Sequence, residues 1–334
     1  MTVHNLSLYI QRFFTDYLVT QKHASVHTVA SYRDTFRLLL QYAVVCLNRQ
    51  SVNMCVTDID ATLVSNFLTH VEEHRGNSTS TRNLRRIIIR TFFRFVAMHE
   101  PALLLHCQRI LAIPAKRHDK RLINFLEPAE SAALLDAPDI TTWIGRRDHT
   151  LLLVALQTGL RVSELIALNV GDITLRPRDK AYLQCFGKGR KERVTPLRSD
   201  SIMALTEWLQ ERGATQPDEP LFISNRLGRL SRDGMERIVR KYCTMAAEIC
   251  PSLLDKKVSP HTLRHTTAMD LLRSGTGCTV IALWLGHESV ETTQVYLHAD
   301  MEIKKRAMDQ TRPTNIPAGV YKPDDDVLAF LDSL

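Results

Sequence analysis

Thr158-Gly-Leu-Arg-Val-Ser-Glu-Leu165 is the stretch on which the reading of this chain turns. Gly159 suits the end of one helix, because glycine takes the left-handed conformation that closes a helix at little cost. Ser163 or a neighbour suits the start of the next. Arg161 is then left at a helix junction. Taken alone, it is the surface arginine of an ordinary helical hairpin.

Downstream, Tyr182 to Phe186 and Arg193 to Leu197 have the composition of two short strands. They flank Gly187-Lys-Gly-Arg-Lys-Glu192, a glycine-containing turn. Next, Ser259-Pro260 precedes His261-Thr-Leu-Arg-His265. Proline fits the first turn of a helix, where unpaired N–H groups and the helix dipole favour an anion. His261 and Arg264, three residues apart, share one face of that turn. His261 and His265 also have the i,i+4 spacing of a metal pair. However, Thr262 stands where a metalloprotease helix carries glutamate, and Arg264 would repel a cation, so a zinc hydrolase is a distant reading. Finally, Gly286-His287 reads as a helix end, and Glu291 to Leu297 as a short helix bearing Tyr296. A lone tyrosine in such a helix is usually a core residue.

In this order the segments resemble the tyrosine recombinase (phage-integrase) family. The family carries an arginine in a TGLR-x-SEL segment, a lysine in a β-hairpin, an H-x-x-R-H box, and LGH followed nine residues later by tyrosine. Arg161, Lys188, His261, Arg264, His287 and Tyr296 fill these positions. The resemblance implies that Tyr296 attacks a DNA phosphodiester, forming a 3′-phosphotyrosine and releasing a 5′-hydroxyl. Arg161 and Arg264 would clamp the non-bridging oxygens, where charge builds up in the transition state. Lys188 would protonate the leaving 5′-oxygen, with Lys191 in the same turn as the alternative. His261 would accept or shuttle the tyrosyl proton, and His287 would hydrogen-bond the phosphate. His265 and His298 are read as supporting residues. No cofactor, metal or ATP is implied, since the phosphotyrosine ester retains the bond energy.

The first third reads as helical. Val29, Tyr32, Phe36, Leu39, Leu40, Ala43 and Leu47 recur at helical spacing between Val26 and Leu47. Thr57-Asp-Ile-Asp60 looks like a helix start, followed by the stripe Leu63, Val64, Phe67, Leu68 and Val71. Gly76 to Ser80 reads as a loop. A helix over roughly Thr81 to Met98 places Leu84, Ile87, Ile88, Phe92 and Phe95 on its core face. Arg82, Arg86, Arg90 and Arg94 form a stripe four residues apart whose mutual repulsion a polyphosphate would relieve. Residues 115 to 121, Ala-Lys-Arg-His-Asp-Lys-Arg, lose the helical period and read as a basic linker. Its Lys116, Arg117, Lys120 and Arg121 are candidates to track phosphates.

The expected fold is therefore mainly α with a small β-sheet in the catalytic domain. A helical core-type DNA-binding domain spans 1–113, a basic linker 114–126, the catalytic domain 127–312, and a tail 313–334. The family fold implies a C-shaped clamp on duplex DNA, with Arg82, Arg86 and Arg90 on the DNA side. Strand exchange implies a tetramer on two recombination sites, with an accessory or sister recombinase as a further candidate partner. The tail segment Val327 to Leu334 either joins protomers or folds back on its own domain.

The net charge of +7 and pI near 9.1 fit a polyanionic partner. Seven scattered cysteines without a C-x-x-C pair argue for a reducing cytosol. The sequence has no stretch of about 18 apolar residues and no secretory leader pattern, so the expectation is a cytoplasmic protein off the membrane. Integration, excision or transposition of a mobile element is the favoured task. Xer-type dimer resolution is the alternative. A type IB topoisomerase and a catalytically silent DNA-binding paralogue are rival readings.

Overall fold

The computed structural model describes residues 4–117, 123–175, 181–187, 192–213, 216–225, 228–287, 289, 291–294 and 296. Lys188, Lys191, Lys120, Arg121, Leu297, His298 and the tail 313–334 lie outside them. The chain divides into two compact units, Met1–Lys120 and Arg121–Leu334.

The first unit holds α1 (Leu6–Arg12), a π-helical continuation over Phe13–Gln21, α2 (Val26–Leu47), α3 (Ala61–Glu73), α4 (Thr79–His99) and α5 (Leu104–Leu111). Side-chain caps set where α2, α3 and α4 begin, as Asn5 does for α1. Ser25, Asp60 and Ser78 each accept a backbone N–H of the following turn, at 3.2, 2.7 and 3.2 Å. The core is aromatic: Phe13 and Phe36 both pack edge-on to Phe92, with ring centroids 5.3 and 5.0 Å away. Leu63, Val64, Phe67, Leu68 and Val71 are buried as their spacing predicts.

On α4 the core face is rotated from its expected position. Ile88, Ile89, Phe92, Phe93, Phe95 and Val96 are buried, whereas Leu84 and Ile87 are 49% and 53% exposed. The first turns of α4 meet their neighbours through polar groups instead, with Thr79 bonded to Glu72, Asn83 to Lys116 and Arg85 to Thr35, so helical period alone placed Leu84 and Ile87 wrongly.

The second unit contains α6 (Pro128–Asp136), α7 (Trp143–Thr158), α8 (Val162–Ala167), β1 (Ile173–Thr174), β2 (Tyr182–Phe186), β3 (Glu192–Pro196), α9 (Ser199–Arg212), α10 (Arg232–Ala246), α11 (Pro260–Arg273), α12 (Cys278–Leu285) and α13 (Glu291–Gln294). The strands form an antiparallel sheet in the order β1-β2-β3, with Leu183 opposite Thr195 and Cys185 opposite Arg193. Alternation puts Leu183 and Cys185 into the core and leaves Phe186 outside. The two-residue β1 escaped the sequence reading because so short a segment carries no period.

Inside this unit, Trp208, Tyr242 and Phe222 are fully buried. A polar network crosses the same core. Asp148 accepts from Tyr242 at 3.0 Å and pairs with Arg147 at 2.7 Å, and Arg147 also donates to the Ile223 carbonyl. All seven cysteines are free. Among the described residues, no helix is long and apolar enough to cross a membrane.

Candidate active site

Three helices of the second unit, α7, α9 and α12, end in left-handed glycines, and the ends of α7 and α12 meet. Gly159 closes α7 with φ 62°, and Gly286 closes α12 with φ 63°. A Cβ on Gly159 would stand 2.7 Å from the Leu285 side chain, which shows how closely the two ends approach. The last carbonyls of a helix have no partner within it and carry the negative end of its dipole. Such a junction attracts cations, and three arginines occupy it.

Arg264, on α11, donates from Nη1 to the Gly159 carbonyl and from Nη2 to the Leu285 carbonyl, each at 2.6 Å. Arg161 precedes α8 and donates from Nη2 to the Gly286 carbonyl at 3.1 Å. Arg193, from β3, shares the Leu285 carbonyl with Arg264. Glu164 lies beneath them, 6% exposed. Its Oε1 accepts from Arg161 Nη1 at 2.8 Å, and its Oε2 accepts from the Arg161 amide at 2.9 Å and Arg193 Nη2 at 3.0 Å. Burial opposes ionisation of Glu164, but the Arg161 amide and the charges of Arg193 and Arg161 outweigh it and hold the carboxyl below its usual range.

Arg264 is only 5% exposed. Burial, followed by the charge of Arg161, lowers its pKa to about 10, so it remains a cation at neutral pH. Each Nη spends one hydrogen on a carbonyl, and a guanidinium has five N–H donors, so others remain for an anion.

Tyr296 is 2% exposed and packs with Ala268, Met269, Leu272, Ile281 and Leu285. Its hydroxyl lies 2.9 Å from Nδ1 of His265. Burial raises its pKa, while the charges of Arg264 and Arg161 pull the other way. His287 bonds Thr293 at 2.8 Å through Nδ1, and its ring lies parallel to that of Tyr296 at 6.5 Å. Burial first, and then Arg264, Arg161 and Arg193, press the His287 pKa down to about 4. His261, on the first turn of α11, is partly exposed, and partial desolvation, followed by the charges of Arg232, Arg264 and Arg161, lowers its pKa. Among the described residues, no group of three or more His, Cys, Asp or Glu is placed to hold a metal ion.

Four of the six expected residues, Arg161, Arg264, His287 and Tyr296, thus gather at the two helix ends. His261 opens the helix that carries Arg264. The sequence reading missed two members, Glu164 and Arg193. Glu164 lay in the quoted segment, but nothing in its spacing reveals the arginine that it pairs with 29 positions away. His265, expected as a supporting residue, has its ring against the tyrosyl hydroxyl.

In the first unit, the arginine stripe is partly engaged. Arg86 donates to the Ile113 carbonyl at 2.6 Å, and Arg90 donates to the Leu111 carbonyl, so both serve the chain leaving α5. Arg82 bonds Asn83 at 3.2 Å, and Arg94 is exposed. Lys116 is paired with Glu72 at 2.9 Å, and its backbone is held by Asn83, whereas Arg117 is exposed.

Comparison with known proteins agrees with this geometry. Residues 124–302 match the model of the phage integrase family, and residues 10–100 match that of the phage integrase N-terminal SAM-like domain. "Putative integrase/recombinase y4rC" of Sinorhizobium fredii is 46% identical over the whole of both chains. Tyrosine recombinase XerC of Pelotomaculum thermopropionicum is 30% identical, covering 90% of this chain and 96% of its own. Among solved structures, the XerH site-specific recombinase bound to difH in a pre-cleavage complex aligns with a TM-score of 0.65 at 22% identity, over 86% of this chain and 80% of that one. The Tn1549 transposon integrase with circular intermediate DNA aligns with a TM-score of 0.68 at 15% identity, over 92% and 98%. These two likenesses concern the fold. With both of its units matched, and with the arginines and tyrosine of the signature gathered at one junction, the chain belongs to the phage integrase family and is a tyrosine-type site-specific recombinase, an enzyme acting on DNA.

Proposed function

We propose that the junction of α7 and α12 is the cleavage site and that Tyr296 is its nucleophile. The observation that carries this reading is the convergence of Arg161, Arg264 and Tyr296, from three distant segments, on the two helix ends. A phosphodiester seated there would meet the unused N–H donors of Arg161 and Arg264. Those donors favour the extra charge of the pentavalent transition state. The tyrosyl oxygen forms a bond to phosphorus as the bond to the 5′-oxygen breaks, and Lys188 supplies the proton that the leaving oxygen takes up. His287 bonds the phosphate from the rim, and His261, expected from the resemblance to accept or shuttle the tyrosyl proton, is given the same phosphate contact because its ring makes no hydrogen bond to Tyr296 among the described residues. Glu164 and Arg193 touch no substrate and act as positioning residues for Arg161 and Arg264.

In the same proposal, duplex DNA also runs along cations of the first unit and the linker: Arg82, Arg86, Arg90, Lys116, Arg117, Lys120 and Arg121. Arg86 and Arg90 would meet phosphate with the hydrogens that their carbonyl bonds leave over, and Lys116 would have to exchange Glu72 for phosphate. The working form is a tetramer on two recombination sites, with the tail 313–334 joining neighbours, in the cytoplasm. The favoured task is movement of a mobile element, supported by the full-length likeness to a chain named integrase/recombinase. Dimer resolution is the second reading, favoured by the likeness to XerC over most of both chains.

The test is covalent trapping on nicked duplexes taken from the chain's own genomic flanks. A DNA-linked band that survives denaturation is expected from the unsubstituted chain. Tyr296→Phe should lose it while still shifting DNA on a native gel. A band that persists in Tyr296→Phe would remove Tyr296 from the reaction.

A further inference from the structure

The tyrosyl hydroxyl must lose its proton as it attacks, and one imidazole stands in contact with it. We propose that His265 takes that proton, onto Nδ1, in the cleavage step. This rests on Tyr296 being the nucleophile.

Three observations carry the inference. The Nδ1–hydroxyl distance is 2.9 Å, with the ring centroids 5.6 Å apart and the planes inclined by 58°. Among the described residues, no other hydrogen bond reaches the Tyr296 hydroxyl. The other two histidines are differently engaged: Nδ1 of His287 is held by Thr293, and His261 is exposed with no hydrogen bond among the described residues. Finally, His265 directly follows Arg264 on α11, so one helical turn presents both a phosphate-binding cation and an acceptor for the tyrosyl proton.

The electrostatics make this acceptor conditional. Burial, then His261 and Arg264, press the His265 pKa down to about 4. In the free enzyme the ring is therefore neutral, with its hydrogen on Nε2 when Nδ1 accepts, and it is a weak base. Tyr296 stays a phenol. A phosphodiester entering beside Arg264 brings a negative charge that offsets that arginine and favours the imidazolium. The base strengthens when the substrate is seated. The balance is complete: the tyrosyl O–P bond forms, the P–O5′ bond breaks, the tyrosyl proton moves to His265, and the 5′-oxygen takes its proton from Lys188. Rejoining reverses each transfer.

The experiment is single-turnover adduct formation by the full chain on the nicked duplex, across pH 5.5 to 9.5. In His265→Asn, an amide oxygen can stand near the place of Nδ1 and keep the contact, but it cannot take a proton. The expected result is adduct formation slowed by about 10²- to 10⁴-fold at pH 7, with a rate that climbs tenfold per pH unit. In His265→Ala, added imidazole should restore adduct formation in proportion to its unprotonated form. His265→Asn with a near-normal rate and the pH profile of the unsubstituted chain would overturn the proposal. A second measurement needs no variant: the ¹⁵N shifts of His265 in the labelled chain. An unprotonated, pyridine-type Nδ1 is expected. A hydrogen-bearing Nδ1, both free and on DNA, would overturn the proposal even if the variants fail to fold. Absence of any adduct from the unsubstituted chain would count instead against the nucleophile assignment.

Discussion

Glu164 binds Arg193 across 3.0 Å, and the same carboxylate holds Arg161 by both its amide and its guanidinium. One buried anion thus orients two of the three cations at the junction of the helix ends. Glu164→Ala is expected to destabilise the second unit by about 3 kcal/mol, as removing one partner of a buried pair does. It should also slow DNA cleavage. Denaturant unfolding and the covalent trap measure the two effects separately. Glu164→Gln keeps the shape and should fall between, so equal stability in all three chains would refute the role.

Arg264→Ala should slow adduct formation by at least about 10²- to 10³-fold, the usual cost of one transition-state donor. It should also lower stability, because the Gly159 and Leu285 carbonyls lose a buried partner. Arg264→Lys should not restore cleavage, since a single ammonium cannot reproduce a two-armed contact. Arg161→Ala, whose side chain is more exposed, should lose cleavage with a smaller change in stability.

Three glycines with similar backbones should respond differently to alanine. Gly159, Gly286 and Gly213 have φ of 62°, 63° and 64°. Each substitution carries about 1 kcal/mol of left-handed strain. A Cβ at Gly213 meets nothing within 4 Å, but at Gly286 it would stand 2.5 Å from Arg193 Nη1 and at Gly159 2.7 Å from Leu285. Thermal unfolding should therefore show Gly213→Ala as the mildest, and only Gly159→Ala and Gly286→Ala should reduce cleavage.

Mild acid should loosen the second unit. His265 and His287 both have pKa values pressed to about 4, against 6.5 in an unfolded chain. Their surroundings disfavour the charged form: burial together with His261 and Arg264 around His265, and with Arg264, Arg161, Arg193 and His265 around His287. Between pH 6.5 and 4 the unfolded chain binds protons that the folded one refuses, so stability is full above that window and falls through it. Unfolding midpoints at pH 7.5 and 5 should differ less in His265→Asn than in the unsubstituted chain.

The legible and illegible parts of this molecule divide along a physical line. Helical period located α2 with both its ends, and the polar cap Asp60 and the first-turn proline Pro260 marked where α3 and α11 begin, because these signals act over a few residues. The strands at Tyr182 and Glu192 were legible within one residue for the same reason. What did not show was which backbone groups the arginines would serve. Arg86 and Arg90 looked like a free cationic stripe, but both donate to carbonyls at the end of α5. Arg193 carried no motif, and His265 gave no sign of its bond to Tyr296. Acceptors of this kind exist only after helices have stopped and been brought together, so no local pattern announces them.

The Leu285 carbonyl accepts from both Arg264 and Arg193, and the next carbonyl accepts from Arg161. The final turn of α12 is thereby a common anchor for three side chains delivered by α11, β3 and the start of α8. Damage to any one of them is felt by the others through that turn, so paired substitutions should fall short of the sum of their separate costs. A change at any one of the three, each in a different segment of the chain, therefore disturbs an anchor that the other two share.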